Sequence, residues 1–123
     1  MAERKTILVV DDDPGSRRLL QFVLAKTGCE IITAPNGAQG LALASVLTIH
    51  LLVTDLMMEE MDGFQLTQLL RQKPDYLQLP VIILSARWQI DNQTISRHER
   101  IIFTSKPFSP IELVAQVNSL LKL

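Results

Sequence analysis

Short apolar blocks alternate with amphipathic stretches along the chain. Ile7-Leu8-Val9-Val10, Leu51-Leu52-Val53-Thr54, Val81-Ile82-Ile83-Leu84 and Ile101-Ile102-Phe103-Thr104 are continuous apolar or β-branched runs. Blocks of that length without polar alternation suit strands of a parallel sheet covered on both faces. Strands are expected over about Thr6 to Val10, Glu30 to Thr33, Leu51 to Thr54, Val81 to Leu84 and Arg100 to Thr104. Between them apolar residues recur at helical spacing: Leu20, Val23 and Leu24; Leu41, Ala44 and Leu47; Phe64, Leu66, Leu69 and Leu70; and Leu113, Val117, Leu120 and Leu121. Strand and helix in alternation predict an α/β domain of five βα units joined by right-handed crossovers.

Local signals set the element ends. Asp13-Pro14 reads as a helix N-cap with proline at the first helical position. Gly28 is placed to stop that helix, and Pro35-Asn36-Gly37 turns the chain into the second. Asp62-Gly63 leads into the third. The C-terminal helix carries the fullest signal: Ser109 as cap, Pro110 behind it, Glu112 to complete a capping box, and Phe108 with Leu113 as a hydrophobic staple. Residues 86–100 are polar and only weakly periodic, so a fourth helix there, over about Gln93 to Glu99, is short.

Composition narrows the class without naming a chemistry. A chain of 123 residues with 47% hydrophobic residues fits one compact domain, expected to span 1–123. A net charge of −1 gives no global field for nucleic acid or an anionic membrane. The single Cys29 excludes an internal disulfide and a cysteine-rich zinc site, and reads as a buried inert thiol. The first apolar run is too short for a signal peptide or a membrane span, so a soluble cytoplasmic protein or a domain of one is expected. His50 and His98 have no partners in sequence and read as surface or satisfied loop residues.

The chemistry lies where the strands end. Asp11, Asp12 and Asp13 follow the first block, Asp55 the third, Ser85 the fourth and Lys106-Pro107 the fifth. Ligands of open parallel α/β sheets bind at that carboxyl edge. Carboxylates gathered there repel one another and call for a cation. A lysine and a hydroxyl beside them invite an anion, so the edge reads as a place for a divalent metal and a phosphoryl group. Asp13 fits a plain helix cap. An isolated Asp55 ending a buried strand does not have that explanation.

Taken in order, Val9-Val10-Asp11-Asp12, Asp55 with Met61-Asp62-Gly63, Ser85-Ala86 and Lys106-Pro107-Phe108 resemble the receiver domain of bacterial two-component response regulators, over essentially the whole chain. The resemblance implies a flavodoxin-like, doubly wound (βα)5 sandwich with strand order 2-1-3-4-5, as in the chemotaxis regulators. It implies that Asp55 accepts a phosphoryl group from a sensor histidine kinase or a histidine phosphotransfer protein. Asp11, Asp12, Asp55 and the backbone carbonyl of Met57 would hold Mg²⁺ or Mn²⁺. Lys106 would pair with a phosphoryl oxygen and Ser85 would donate its hydroxyl to another. Ser85 and Phe103 would form the switch, and the fourth helix, fifth strand and C-terminal helix the output surface. That surface would act on a downstream protein, a fused output domain or a second copy of the chain.

Departures from the family pattern cluster away from the acids. Glu59 stands where proline is usual, and Arg97-His98-Glu99-Arg100 replaces the usual Gly-Ala stretch. Met57 and Arg87 occupy positions that tune self-dephosphorylation in the family. An apolar Met57 cannot orient an attacking water, so a long-lived phosphoryl state is expected. Such a protein catalyses only its own phosphorylation and dephosphorylation. A receiver-like docking or dimerisation module that works without phosphorylation is the competing class. A Mg²⁺-dependent hydrolase fits less well, since Met57 replaces the second acid such enzymes use. A dinucleotide site lacks its G-x-G-x-x-G.

Overall fold

A computed structural model describes residues 4–85 and 100–123. Five strands, β1 (Thr6–Val10), β2 (Glu30–Ala34), β3 (Leu51–Asp55), β4 (Val81–Ser85) and β5 (Ile101–Ser105), form one sheet in the order β2-β1-β3-β4-β5. All four pairings are parallel. The helices among the described residues are α1 (Pro14–Leu24), α2 (Gly37–Val46), α3 (Gly63–Arg71) and the C-terminal α4 (Pro110–Leu121). The fourth helix expected near 93–99 lies outside the described residues.

Side chains alternate across the strands and build a core on each face. Ile7, Val9, Leu51, Val53, Ile82 and Leu84 pack with Leu20, Val23 and Leu24 of α1 and Leu113 and Val117 of α4. Leu8, Val10, Leu52, Val81 and Ile83 pack with Ala44 of α2 and Leu66 and Leu70 of α3. β1, β3 and β4 are thus buried on both sides, which is why their sequences are apolar without alternation. The free Cys29 is buried as expected.

The caps expected at Asp13 and Ser109 form, Asn36 adds one that the sequence showed only as a turn, and the capping box changes place. Asp13, Asn36 and Ser109 each accept a hydrogen bond from a backbone N–H in the first turn of the helix they precede. The reciprocal capping box belongs to α3: Asp62 accepts from Gln65 N–H at 2.7 Å while Gln65 Oε1 accepts from Asp62 N–H at 2.9 Å. At α4 only the Ser109 half is present. Two helix faces also differ from the periodic expectation. Leu47 and Leu69 are exposed, and Thr67 is buried in place of a leucine. Thr67 can occupy the interior because its hydroxyl donates to Gly63 O at 2.8 Å.

Candidate functional site

The β1–β3 register ends at the Val10–Thr54 pair, which makes Asp11 and Asp55 the next residues on adjacent strands. Asp11, Asp12 and Asp55 each offer a carboxylate oxygen, and these oxygens lie within 4.8 Å of one another. From the end of β5, Lys106 Nζ reaches to 3.2 Å from Asp11 Oδ2 and 3.5 Å from Asp55 Oδ1. The peptide from Lys106 to Pro107 is cis. Four residues from three distant segments thus meet at one point of the carboxyl edge.

Asp11 is fully buried and fully engaged. Its Oδ1 accepts from Asp13 N–H at 2.9 Å, its Oδ2 faces Lys106, and its carbonyl accepts from Arg17 Nη1 at 2.8 Å. Asp55 is held through its main chain, since the buried Thr54 hydroxyl donates to the Asp55 carbonyl at 2.9 Å. Gly63 closes the loop against that same carbonyl. A Cβ there would strike the Asp55 carbonyl oxygen and come within 3.0 Å of Thr54 Cγ2, so no larger residue fits.

Burial pushes the Asp55 carboxyl above the ordinary carboxylate range; Lys106 opposes the rise, and Asp11 and Asp12 add to it. Among the described residues three carboxylates face one lysine at the site. Three carboxylates with no histidine or cysteine form a hard, oxygen-only donor set, which fits Mg²⁺ or Mn²⁺ better than zinc or copper.

Ser85 ends β4, buried, one residue beyond the Leu84 that pairs with Asp55. Its carbonyl accepts from Lys106 N–H at 2.8 Å. Phe103 pairs with Ile83, so strand alternation puts it on the same sheet face as Ser85. Its ring lies 6.1 Å from that of Phe64 on α3, tilted by 41°. Met57, on the loop after β3, has a side chain 65% exposed. Arg87 and His98 fall outside the described residues. His50 is satisfied, its Nδ1 accepting from Thr6 N–H at 2.9 Å.

Three supporting residues were invisible as such in the sequence. Arg17 carried no reading of its own, Thr54 read as the last strand residue and Phe64 as part of the apolar face of α3. Only the spacing of Arg17, in the first helical turn after Asp13, hinted that it could reach back to the acids.

A 2-1-3-4-5 parallel sheet with acids and a lysine at its carboxyl edge defines the chemotaxis-regulator-like class of α/β domain. The family model "Response regulator receiver domain" matches residues 7–118, and the chain belongs to that family, the receivers of two-component signalling. A 14.6 kDa protein of Leptolyngbya boryana, named for its place in the sodA1 3' region, is 41% identical over 112 residues, 90% of this chain and 86% of that protein. The "Probable transcriptional regulator ycf27" of Cyanophora paradoxa is 38% identical over 120 residues. There the match takes 97% of this chain but 49% of the relative, so the chain spans about half the length of that regulator. The receiver domain of Francisella response regulator 1452 superposes with a TM-score of 0.81 at 30% identity, covering 97% of this chain and 98% of that one. No helix among the described residues is long and apolar enough to cross a membrane.

Proposed function

We propose that residues 1–123 act as one phosphoacceptor unit that takes a phosphoryl group onto Asp55 from the phosphohistidine of a sensor kinase or phosphotransfer protein. The observation that carries this reading is the position of Lys106 Nζ, 3.2 Å from Asp11 and 3.5 Å from Asp55, beside three converging carboxylates. A carboxylate oxygen of Asp55 forms the new P–O bond as the P–N bond of the donor breaks. The electron pair leaves on the imidazole nitrogen, which takes a proton from solvent. Asp11, Asp12, Asp55 and the Met57 carbonyl would hold Mg²⁺ or Mn²⁺, whose charge offsets that of the acids and the phosphoryl oxygens. Lys106 then leaves its carboxylate partners for a phosphoryl oxygen, serving as a mobile point charge. Ser85 donates its hydroxyl to another oxygen.

The phosphoryl group adds close to two negative charges and can shift the protein only through contacts that differ between two states. Ser85 and Phe103, on one face of β4 and β5, form the responding pair. The output face comprises β5, α4 and the segment between β4 and β5. It acts on a downstream protein, a fused output domain or a second copy of the chain, in the cytoplasm. The relative named as a transcriptional regulator supports the first two of these routes.

Phosphoryl uptake from a small phosphodonor, read by intact mass with and without Mg²⁺, tests the reading. Uptake that needs Mg²⁺ and vanishes in Asp55→Asn is the expected result. A folded wild-type protein that takes up nothing would instead mark a docking module that works without phosphorylation.

A further inference from the structure

Of the three clustered acids, Asp12 alone is exposed, and among the described residues its side chain makes no hydrogen bond or ion pair. Its direction is therefore set by its backbone. The peptide that joins it to Asp11 carries the Asp11 carbonyl, which lies past the end of the sheet ladder: Val10 is the last β1 residue registered with β2 or β3. No strand offers that carbonyl a donor. Arg17 Nη1 does, at 2.8 Å. Arg17 is itself anchored in the first turn of α1 by its N–H bond to Asp13 O at 3.0 Å. Asp13, in turn, donates to Asp11 Oδ1 and caps the helix through Ser16 N–H at 2.8 Å. Four bonds thus close the β1–α1 turn, and of these the Arg17 Nη1 bond is the one that takes hold of the Asp11–Asp12 peptide itself. Rotating that peptide would swing the Asp12 carboxylate away from Asp11 and Asp55.

We propose that Arg17 is a positioning residue of the metal site: by holding the Asp11 carbonyl, it aims the Asp12 carboxylate at the cation shared with Asp11 and Asp55. This rests on the phosphoacceptor reading above. Arg17 touches neither the cation nor the phosphoryl group. Its effect belongs to metal affinity and not to the transfer step itself. Partners that orient metal ligands from the next layer out commonly govern affinity in this way.

The test is Mg²⁺ titration by calorimetry of wild type, Arg17→Met and Arg17→Lys, with phosphoryl uptake from phosphoramidate measured across the same Mg²⁺ range. Methionine keeps much of the reach but cannot donate; lysine keeps a donor and the charge. Arg17→Met should bind Mg²⁺ about tenfold more weakly or worse. Its half-saturation for uptake should move by the same factor, while the rate at saturating Mg²⁺ stays near wild type. Arg17→Lys should recover most of the affinity. If Arg17→Met does not fold, Arg17→Gln, too short to reach the carbonyl, takes its place with the same expected loss. A folded non-donating variant with wild-type Mg²⁺ affinity would overturn the proposal, as would Arg17→Lys losing as much as Arg17→Met. Wild-type protein that binds no Mg²⁺ and takes up no phosphoryl group would sink the phosphoacceptor reading, and this proposal with it. Normal wild-type uptake beside an unaltered Arg17→Met sinks only the role of Arg17.

Discussion

The two edges of the sheet use polar side chains differently. At the amino edge they are spent on the backbone. His50 Nδ1 accepts from Thr6 N–H, and Arg4 donates to Gly28 O and Cys29 O, both at 3.2 Å. Arg71 donates to Leu79 O at 2.7 Å, and the buried Tyr76 hydroxyl binds Ala44 O, Leu47 O and Ile49 N–H. At the carboxyl edge Arg17, Thr54 and the helix caps also bind backbone, but there charged side chains meet one another as well. Lys106 bridges Asp11 and Asp55, and among the described residues the Asp12 side chain makes no hydrogen bond or ion pair. One edge closes orphaned backbone groups and so fixes the fold. The carboxyl edge also leaves like charges close together, which is unfavourable by itself and useful once a cation and an anion arrive.

The sharpest way to break this contrast is Asp55→Asn. It should abolish phosphoryl uptake, measured by intact mass, and yet stabilise the metal-free fold at neutral pH. The sign follows from the raised Asp55 carboxyl, caused first by burial. A carboxyl that titrates higher in the folded than in the unfolded state contributes stability below its unfolded value of about 3.9, and that contribution is lost as pH rises through the folded value. Ionised Asp55 therefore weakens the folded state. In EDTA, the advantage of Asp55→Asn in urea melts should grow as pH rises from acid through the raised titration point and then level off. A variant less stable than wild type at pH 7 would show that the acids are not in conflict.

Metal should remove the same conflict. Mg²⁺ at a hundred times its dissociation constant should raise wild-type stability by about 2.7 kcal/mol, because it binds only the folded site. Asp55→Asn should gain much less. Tyr76→Phe probes the other edge. Removing the hydroxyl leaves Ile49 N–H without its acceptor and the Ala44 and Leu47 carbonyls without the one proton they share, and should cost about 1–3 kcal/mol in urea unfolding. Phosphoryl uptake should be unchanged. A Tyr76→Phe protein with normal stability but slowed uptake would erase the division between the edges.

Much of this division is readable in the sequence. Continuous apolar blocks marked strands covered on both faces, and each acid or lysine that followed a block had to emerge at the same edge. The caps at Asp13 and Ser109 follow from local chemistry alone and were equally plain, whereas Asn36 read only as part of a turn. What did not show were the bonds that depend on how distant segments approach. Nothing near Tyr76 announces that its hydroxyl will close the end of α2, and nothing in Arg17 names the Asp11 carbonyl. Helical spacing also put Leu69 in the core. The third helix instead turns Thr67 inward, where a back-bonded hydroxyl costs little. The capping box went to Gln65 and not to Glu112 because only the former reaches back to its cap N–H.

The finest test concerns the persistence of the signal. Met57 lies two residues beyond Asp55, on the loop, with its side chain 65% exposed. A thioether is a weak acceptor and cannot donate, so it cannot line up a water for attack on the phosphoryl group. Glutamine at the same position has nearly the same length and can both donate and accept. Met57→Gln should shorten the lifetime of the phosphorylated protein by a few-fold to about tenfold, equivalent to at most about 1.4 kcal/mol of barrier. Uptake should be unaffected, because the loop side chain is no part of the acid and lysine cluster. Stability should change by no more than about 0.5 kcal/mol, as for an exposed substitution. The measurement is decay of the phosphorylated mass after the donor and Mg²⁺ are removed, and again with Mg²⁺ restored. Wild-type label lost within seconds, or a Met57→Gln decay no faster than wild type, would mean that water reaches the phosphoryl group without help from this position.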